Sequence, residues 1–358
     1  MTSLRYLTPF VFLALVPLGA SLGGAWTFSA AIAIPLLLTG LDAALGKEDG
    51  KAKATAGHTL RWLPRIYVVL QLAVTAWLAF RIARTGAGFF EAAGLTLSNG
   101  LTTGVFGMVA SHEMVHSRDR AERGLGLLFL ASVVYLHFSI SHVYGHHRRA
   151  ATAQDPASAR LGEGLYAFLY RSIAGQFREA WDYEARRRLR AGYPVVGSGN
   201  RMIVFLMLEA LILVAIGIAS RSAMAFVIVN ASLAIILLET FNYVAHYGLS
   251  RRAADNGLVE RLGPQHSWNS SNWMNNSALF NMGRHSDHHR HTTRHYQRLE
   301  PVCPSPELPS GYAAAMVVAL VPPLWRRSMD WRVLMRFESA ETVRRDLDGE
   351  CATRAAAR

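Results

Sequence analysis

Charged residues and cysteines are scarce in this chain of 358 residues. Only 17% of the residues are charged, against about 25% in soluble domains, while 51% are hydrophobic. The apolar fraction excludes a disordered chain, and two distant cysteines, Cys303 and Cys351, exclude a disulfide-rich scaffold. Acidic residues number 25 against 37 lysines and arginines, which gives a net charge of +12. This combination indicates an integral membrane protein with one positive face.

Long runs that are almost free of charge indicate the fold class. A membrane-spanning helix needs about 20 apolar residues, and six runs meet this requirement. We therefore expect an all-α membrane protein with six transmembrane helices, built as a single domain over residues 1–338. No small-residue cleavage site follows the first run, so we expect it to be retained rather than removed as a signal peptide. The predicted spans are 7–24, 26–46, 64–83, 88–110, 202–219 and 223–243.

Two further apolar runs are too short to cross a bilayer. Residues 125–140 have histidine clusters at both ends, and a complete crossing would place those clusters on opposite sides of the membrane. We therefore expect this run to enter the bundle only partly. Residues 312–325 are interrupted by Pro322 and Pro323, so we expect them to lie at the membrane interface.

Basic residues next to the span ends predict the orientation. Six spans place the second loop, both termini and the segments 111–201 and 244–338 on one side, which the positive-inside rule assigns to the cytoplasm of a bacterial inner membrane. We interpret the many arginines there as topology signals and lipid contacts, since no nucleic-acid-binding motif accompanies them. The Arg- and Ala-rich tail, residues 339–358, is expected to be mobile. The second loop carries Lys47, Lys51, Lys53, Arg61 and Arg65.

Histidine is the one residue type whose distribution is unusual. Nine of the 14 histidines fall into four short clusters, all on the predicted cytoplasmic side. Neutral imidazole binds Fe, Zn, Cu and Ni, and nine ligands exceed what one octahedral ion accepts. They match two ions with four or five ligands each, so we predict a dinuclear metal site. The clusters are His112 with His116, then His142, His146 and His147, then His246, then His285, His288 and His289.

Different chemistries remain open for such a site. Residues 112–116 read HExxH, which is typical of zinc proteases with the glutamate, here Glu113, as general base, but that motif leaves the other clusters unexplained. A zinc pair in a membrane hydrolase would act through metal-bound hydroxide, although such sites usually include bridging carboxylates. An imidazole-rich pair of irons above apolar helices suits O₂ activation and an apolar substrate. A metal-binding protein without catalysis is a further alternative.

The clusters and their surroundings resemble the alkane 1-monooxygenase family, which belongs to the fatty acid desaturase superfamily and has xylene and cymene methyl-hydroxylase relatives. The resemblance runs from about residue 60 to 335. Desaturases lack its combination of NYxxHYGL with HSDHH. The motifs are DPASAR at 155–160, NYVAHYGL at 242–249, HSWNS at 266–270, RHSDHH at 284–289, LPSGY at 308–312 and VPPLWR at 321–326.

The resemblance implies six transmembrane helices, two non-haem irons, and O₂-dependent hydroxylation of a terminal or benzylic methyl group. Electrons in the family come from a rubredoxin or a ferredoxin-type donor with its reductase. Here the donor must be a separate protein, because two distant cysteines cannot hold an iron–sulfur centre. A fatty acid desaturase or a lipid hydroxylase with the same iron pair is the alternative function. The implied ligands are His112, His116, His142, His146, His147, His246, His285, His288 and His289.

Two positions depart from the family pattern, because Ser141 and Ala245 stand where the family usually has glutamates beside ligands. Other carboxylates must then orient the imidazoles or balance the ionic charge. We expect Glu113 and Asp287 in this role, together with Asp155 and Glu239. Glu239 lies inside the predicted sixth span, where an ionisable residue is costly and usually functional.

The remaining aromatic residues and histidines receive simpler interpretations. A substrate slot is expected along the first four spans, while the histidines outside the clusters are expected to be solvated or to support the ligands. The candidate slot residues are Trp26, Trp62, Trp77, Phe80 and Phe106, and the other histidines are His58, His137, His266, His291 and His295.

Overall fold

The computed structural model describes residues 4–48, 60–252 and 259–342, with side chains up to residue 336. Lys51, Lys53, His58, Cys351 and tail residues 343–358 lie outside this part. Within it the chain is helical, and its extended pairing is limited to two isolated bridges, so the all-α prediction is confirmed. The helices are α1 (Thr8–Leu22), α2 (Ser29–Leu45), α3 (Trp62–Thr85), α4 (Phe89–Leu101), α5 (Met108–Val115), α6 (Arg120–Ser132), α7 (Phe138–Ile140), α8 (His147–Arg149), α9 (Leu165–Arg190), α10 (Arg201–Ala219), α11 (Arg221–His246), α12 (Trp273–Ala278), α13 (His285–Arg290), α14 (Tyr312–Ala319) and α15 (Pro322–Thr342).

Among the described residues, five helices are long and apolar enough to cross a membrane. They correspond to the predicted first, second, third, fifth and sixth spans. The predicted fourth span differs, because α4 passes through a π-helical turn at Thr102–Gly107 before it continues as α5. The five helices are Leu4–Leu22, Gly24–Leu45, Trp62–Thr85, Arg201–Ala219 and Arg221–His246.

Small residues let α4 and the π turn approach α11 closely. A Cβ atom on Gly100 would lie 2.7 Å from Leu233 Cδ1, and one on Gly104 would lie 2.9 Å from the Cα of Ala234. A larger residue at either position would force the two helices apart. The close approach fixes the lower part of the bundle beneath the histidine-bearing segments.

A buried polar network joins the same helices. Asn99 of α4 donates from Nδ2 to Asn230 Oδ1 on α11 at 2.7 Å, and Gln71 of α3 donates to Thr103 Oγ1 at 2.9 Å. All four side chains are buried, so each bond satisfies a group that would otherwise be costly to bury. Such bonds fix the register of three helices in an apolar environment.

The apolar run 125–140 does not form a spanning helix, as expected. Asp119 caps the start of α6 by accepting hydrogen bonds from the amides of Ala121 and Glu122. A helix of 13 residues is about 20 Å long, which is less than the apolar core of a bilayer. The chain then turns at Val134, whose φ is 54°. The histidine clusters before and after this run therefore meet on one side of the bundle.

One feature of the fold differs from the sequence prediction. The long helix α9 was not predicted, because it has a polar face and a search for apolar runs does not detect it. The run 312–325 is interrupted between α14, which ends at Ala319, and α15, which begins at Pro322, since proline at a first helical position removes only an amide that needs no partner. Residues 339–342 of the predicted tail continue α15.

Candidate metal centre

Nine imidazoles from four segments of the chain converge in two adjacent groups. Within each group the nitrogen atoms that could bind a metal lie within 4.8 Å of one another. The five-histidine group consists of His112, His116, His142, His147 and His288, and the four-histidine group consists of His146, His246, His285 and His289.

Helix geometry explains how the chain divides these histidines. His112 and His116 are four residues apart at the end of α5, and His285 and His289 are four apart on α13, so each pair shares a helix face. A π-helical turn at Ser141–His146 changes this rule in the second cluster. Its wider turn brings His142 and His147, five residues apart, into one group and directs His146 to the other.

The distances between ring nitrogens are those of ligands around an ion. In the five-histidine group, His142 Nε2 lies 2.7 Å from His112 Nε2, 3.1 Å from His116 Nε2 and 2.9 Å from His147 Nε2. In the four-histidine group, His285 Nε2 lies 3.2 Å from His246 Nε2 and 3.0 Å from His289 Nε2. Two nitrogens at about 2.1 Å from one ion and at right angles would be about 3.0 Å apart.

The hydrogen bonds around the rings also fit a metal. His146 Nε2 and both ring nitrogens of His288 are buried without a hydrogen-bond partner, which is costly for a polar atom. Burial lowers the pKa of His116 to about 3, and it lowers the pKa of His147 and His289 well below its usual range. These rings are therefore neutral at pH 7, which is the form that binds a metal.

Asp155 orients one of the nine rings directly. His146 Nδ1 donates to Asp155 Oδ2 at 2.8 Å, which directs His146 Nε2 into the four-histidine group. Ser158 Oγ donates to the same oxygen at 2.6 Å, and the amide of Ala157 donates to Oδ1 at 3.1 Å. A second ring, His246, donates from Nδ1 to the backbone carbonyl of His266 at 3.2 Å.

Two of the four carboxylates that were expected to support the ligands, Glu113 and Asp287, have other partners. Glu113 accepts from the amide of Tyr296 at 2.9 Å and faces His295 Nδ1 at 3.6 Å. Asp287 accepts from His291 at 2.9 Å and from Arg294 at 2.8 Å. Both acids therefore hold the segment that follows α13 in place.

The other predicted candidates lie around the site. The ring of His266 donates to Glu260 Oε1 at 2.8 Å, while its carbonyl serves His246. His137 is buried against the rings of Tyr135 and Phe177. Glu239 is buried among hydroxyl and amide donors below the histidines.

An apolar cavity of about 100 Å³ opens below the two groups, and it is called the central cavity here. His112 of the five-histidine group and His285 of the four-histidine group both line it. Most of its wall is aliphatic or aromatic, and it comes from α2, the stretch from the end of α4 through the π turn to α5, α11, residues 279–285 and α14. Representative lining residues are Leu38, Val109, Leu238, Phe241, Met282 and Met316.

The slot residues expected from the sequence do not line this cavity. Trp26, Trp62, Trp77 and Phe80 are exposed on the outside of the bundle, and Phe106 is buried against Phe12. Aromatic residues alone could not locate the cavity, because its wall combines residues that are distant in the sequence. The cavity lies instead where α2 and α14 meet α11.

Comparison with known proteins places this geometry in a family. A family model described as fatty acid desaturase matches residues 89–328, a range that includes all nine clustered histidines. Alkane 1-monooxygenase 1 of Pseudomonas aeruginosa is 38% identical over 329 residues, which cover 88% of this chain and 85% of that protein. The chain belongs to the alkane 1-monooxygenase family.

Other relatives agree with this assignment, which confirms the predicted resemblance. The alkane 1-monooxygenase of Acinetobacter baylyi is 33% identical over 86% of this chain and 77% of its own length. The xylene/toluene monooxygenase hydroxylase component XylM of Pseudomonas putida is a more distant relative, 27% identical over 91% of this chain and 87% of its own length.

The two positions that depart from the family pattern have other contacts in this alkane 1-monooxygenase family member. The hydroxyl of Ser141 donates to Gln176 Oε1 at 3.4 Å, and the carbonyl of Ala245 accepts from the amide of Trp268.

Proposed function

We propose that this protein hydroxylates the terminal methyl group of an alkane or an alkyl side chain to a primary alcohol, with O₂ as the oxidant and two non-haem irons as cofactor. The observation that supports this most directly is the central cavity. It is apolar, and one histidine of each group lines it. A methyl group could therefore reach both groups without contact with bulk water.

The reaction balances as R–CH₃ + O₂ + 2e⁻ + 2H⁺ → R–CH₂OH + H₂O. Irons held by the five-histidine and four-histidine groups would supply the O₂ chemistry, since neutral imidazole is a good ligand for iron. The residues of the chain bind and orient the substrate. Leu38, Leu238 and Met316 provide apolar contacts along the cavity wall, and Phe241 packs against His285 with ring centroids 5.5 Å apart.

The same proposal includes six spans and a cytoplasmic site in a single domain over residues 1–338. The uninterrupted helical run from residue 89 to 115 would be the fourth span, since about 40 Å of helix exceeds the apolar thickness of a bilayer. With six spans, the histidines lie on the side that is rich in arginine. The positive-inside rule favours the cytoplasmic face of a bacterial inner membrane for that side.

A separate acidic electron donor of the rubredoxin or ferredoxin type would dock on the arginine-rich side. A surface cavity of about 200 Å³, called the arginine cavity here, lies beside the segment that carries His146 and His147. Positive charge near the metal groups would attract and orient an acidic partner. Its arginines are Arg148, Arg149, Arg186 and Arg190.

Metal analysis combined with product identification tests this function. Cells that express the protein are fed octane, hexadecane and p-cymene, and the purified protein is analysed for iron and zinc. We expect about two irons per chain and primary alcohols as products. The variant His146→Ala should lose iron and activity, whereas the control His291→Ala, which changes a half-exposed histidine outside both groups, should keep both.

Other outcomes would favour other functions. Alkenes from saturated chains would favour a desaturase, and anaerobic turnover with zinc alone would favour a metal-dependent hydrolase. Wild-type product levels in His146→Ala would contradict the ligand assignment.

A further inference from the structure

Glu239 is a buried carboxylate of α11 that the metal groups do not use. It is fully buried, and three side chains donate hydrogen bonds to it. Tyr135 Oη donates to Oε1 at 3.1 Å, while Ser172 Oγ and Asn242 Nδ2 donate to Oε2 at 2.6 Å and 3.3 Å. An ionisable group inside a membrane bundle is costly and usually functional.

One of these donors connects Glu239 with the central cavity. Asn242 lines that cavity, and it is the only polar residue besides His112 and His285 among the described residues of its wall. The Glu239 carboxylate is thus one hydrogen bond away from the space that both histidine groups share. The described wall itself contains no carboxylate, and Glu239 reaches it through Asn242.

A second donor connects Glu239 with the protein surface. Gln176 Nε2 donates to Ser172 Oγ at 3.0 Å, and Glu179 follows Gln176 on the same side of α9. Glu179 lines the arginine cavity and forms an ion pair with Arg149. A polar stripe of buried residues therefore runs along α9 from the arginine cavity to Glu239.

The proposed hydroxylation consumes two protons per turnover, and the cavity wall is otherwise apolar. We propose that Glu239 supplies these protons, an inference that depends on the proposed function. Its carboxyl group releases one proton past Asn242 to the oxygen atom that leaves as water, and the carboxylate then recovers a proton from the side of the arginine cavity through the hydroxyl of Ser172, beside Gln176. A second release and recovery delivers the second proton, so the group is unchanged after each cycle.

Glu239→Gln tests this role with little change of shape, because the amide oxygen can still accept from Ser172 and Asn242 at the position of Oε2, while the NH₂ group at the position of Oε1 donates to the hydroxyl oxygen of Tyr135. We expect product formation to fall on the order of 100-fold, the range of general acid catalysis, with more of the O₂ released as peroxide and a larger solvent deuterium isotope effect. Iron content and thermal unfolding should match the wild type. The infrared spectrum of the iron-free protein should lose one protonated-carboxyl C=O band.

Glu209→Gln is the matched control. Glu209 of α10 is also buried and accepts from the amide of Leu136 at 2.8 Å, beside Tyr135, but Leu136 does not line the cavity as Asn242 does. We expect this variant to keep wild-type coupling and isotope effect. Asn242→Leu removes the connection to the cavity and leaves Glu239 with its two hydroxyl partners. It should release peroxide as Glu239→Gln does.

The outcomes separate the two proposals. If the wild type hydroxylates methyl groups while Glu239→Gln retains its coupling and isotope effect, the proton role is wrong and the function stands. Activity loss that only follows iron loss in Glu239→Gln, together with wild-type coupling in Asn242→Leu, would also overturn the role. An infrared spectrum without a band from Glu239 would do the same. If the wild type forms no alcohol, the function itself fails.

Discussion

The buried carboxylate of Asp155 forms a hydrogen bond with His146, which belongs to the four-histidine group and not to the five-histidine group. Both side chains are at most 1% exposed, and Asp155 accepts from His146 Nδ1 at 2.8 Å. Burial raises the pKa of Asp155, but His146 and Ser158 outweigh burial and hold that pKa below its usual range. Asp155 is thus ionised at pH 7, and its negative charge would stabilise an ion bound to His146.

Asp155→Asn keeps the shape of this side chain and removes its charge. Replacing a carboxylate that supports a ligand histidine typically weakens metal affinity by about 10- to 100-fold, which corresponds to about 1.4–2.7 kcal/mol. The new side-chain amide must also pair with Ser158. The Ser158 hydroxyl accepts from the backbone amide of Ala151 at 2.8 Å and donates to Asp155 Oδ2, so it can donate to the oxygen of the new side chain. We expect metal affinity to fall by about 10- to 100-fold at the four-histidine group and to change little at the five-histidine group.

Chelator titration of the iron-loaded protein measures this loss. In Asp155→Asn, one of the two irons should leave at a chelator concentration about 10- to 100-fold lower than in the wild type. Asp287→Asn is the control, because Asp287 is equally buried and sits on α13 but bonds Arg294 and His291. The reasoning is refuted if Asp155→Asn binds both irons with wild-type affinity, or if its affinity for both irons falls equally.

Three further predictions concern the cavity, a loop and the surface. Val109→Phe should reduce hydroxylation of hexadecane more than that of octane at unchanged iron content, and equal losses in a mixed feed would contradict the cavity assignment. Glu113 raises the pKa of His295 above 6.5, so this pair stabilises the fold fully below pH 6.5 and its contribution disappears as the pH rises through the raised pKa. Glu113→Gln should therefore lower the unfolding temperature at about pH 5.5 and not at about pH 9, whereas equal shifts would count against the pair. Arg186→Glu should raise the KM for an acidic donor several-fold at low salt and less at high salt; a KM independent of salt would exclude docking there.

The sequence allowed the histidines and most of the helices to be predicted, because both are local signals. Ligand spacing is visible within five residues, as in the segment from His285 to His289, and an apolar run reveals a spanning helix directly. The family resemblance, which rests on motifs such as residues 242–249, is likewise a local pattern. The amphipathic helix α9 lacks such a run, so hydropathy could not reveal it.

The division of the ligands could not be predicted, because it depends on backbone geometry. An α-helical second cluster would place His142 and His146 on one face, whereas the π turn separates them and pairs His142 with His147. The partner of Asp155 was also hidden, since a carboxylate nine residues after His146 carries no periodic signal. The central cavity combines five segments, so only the tertiary structure reveals it.

The two histidine groups differ in their electrostatic surroundings, because a carboxylate is hydrogen-bonded to a ring of the four-histidine group. Imidazole ligands bring no negative charge to a metal ion, so any compensation must come from neighbouring carboxylates. Asp155 bonds His146, and therefore its charge acts on the four-histidine group rather than on the five-histidine group. An ion in the four-histidine group would receive fewer imidazole donors than an ion in the five-histidine group. The carboxylate would thus support the ion that the histidines alone would hold less strongly.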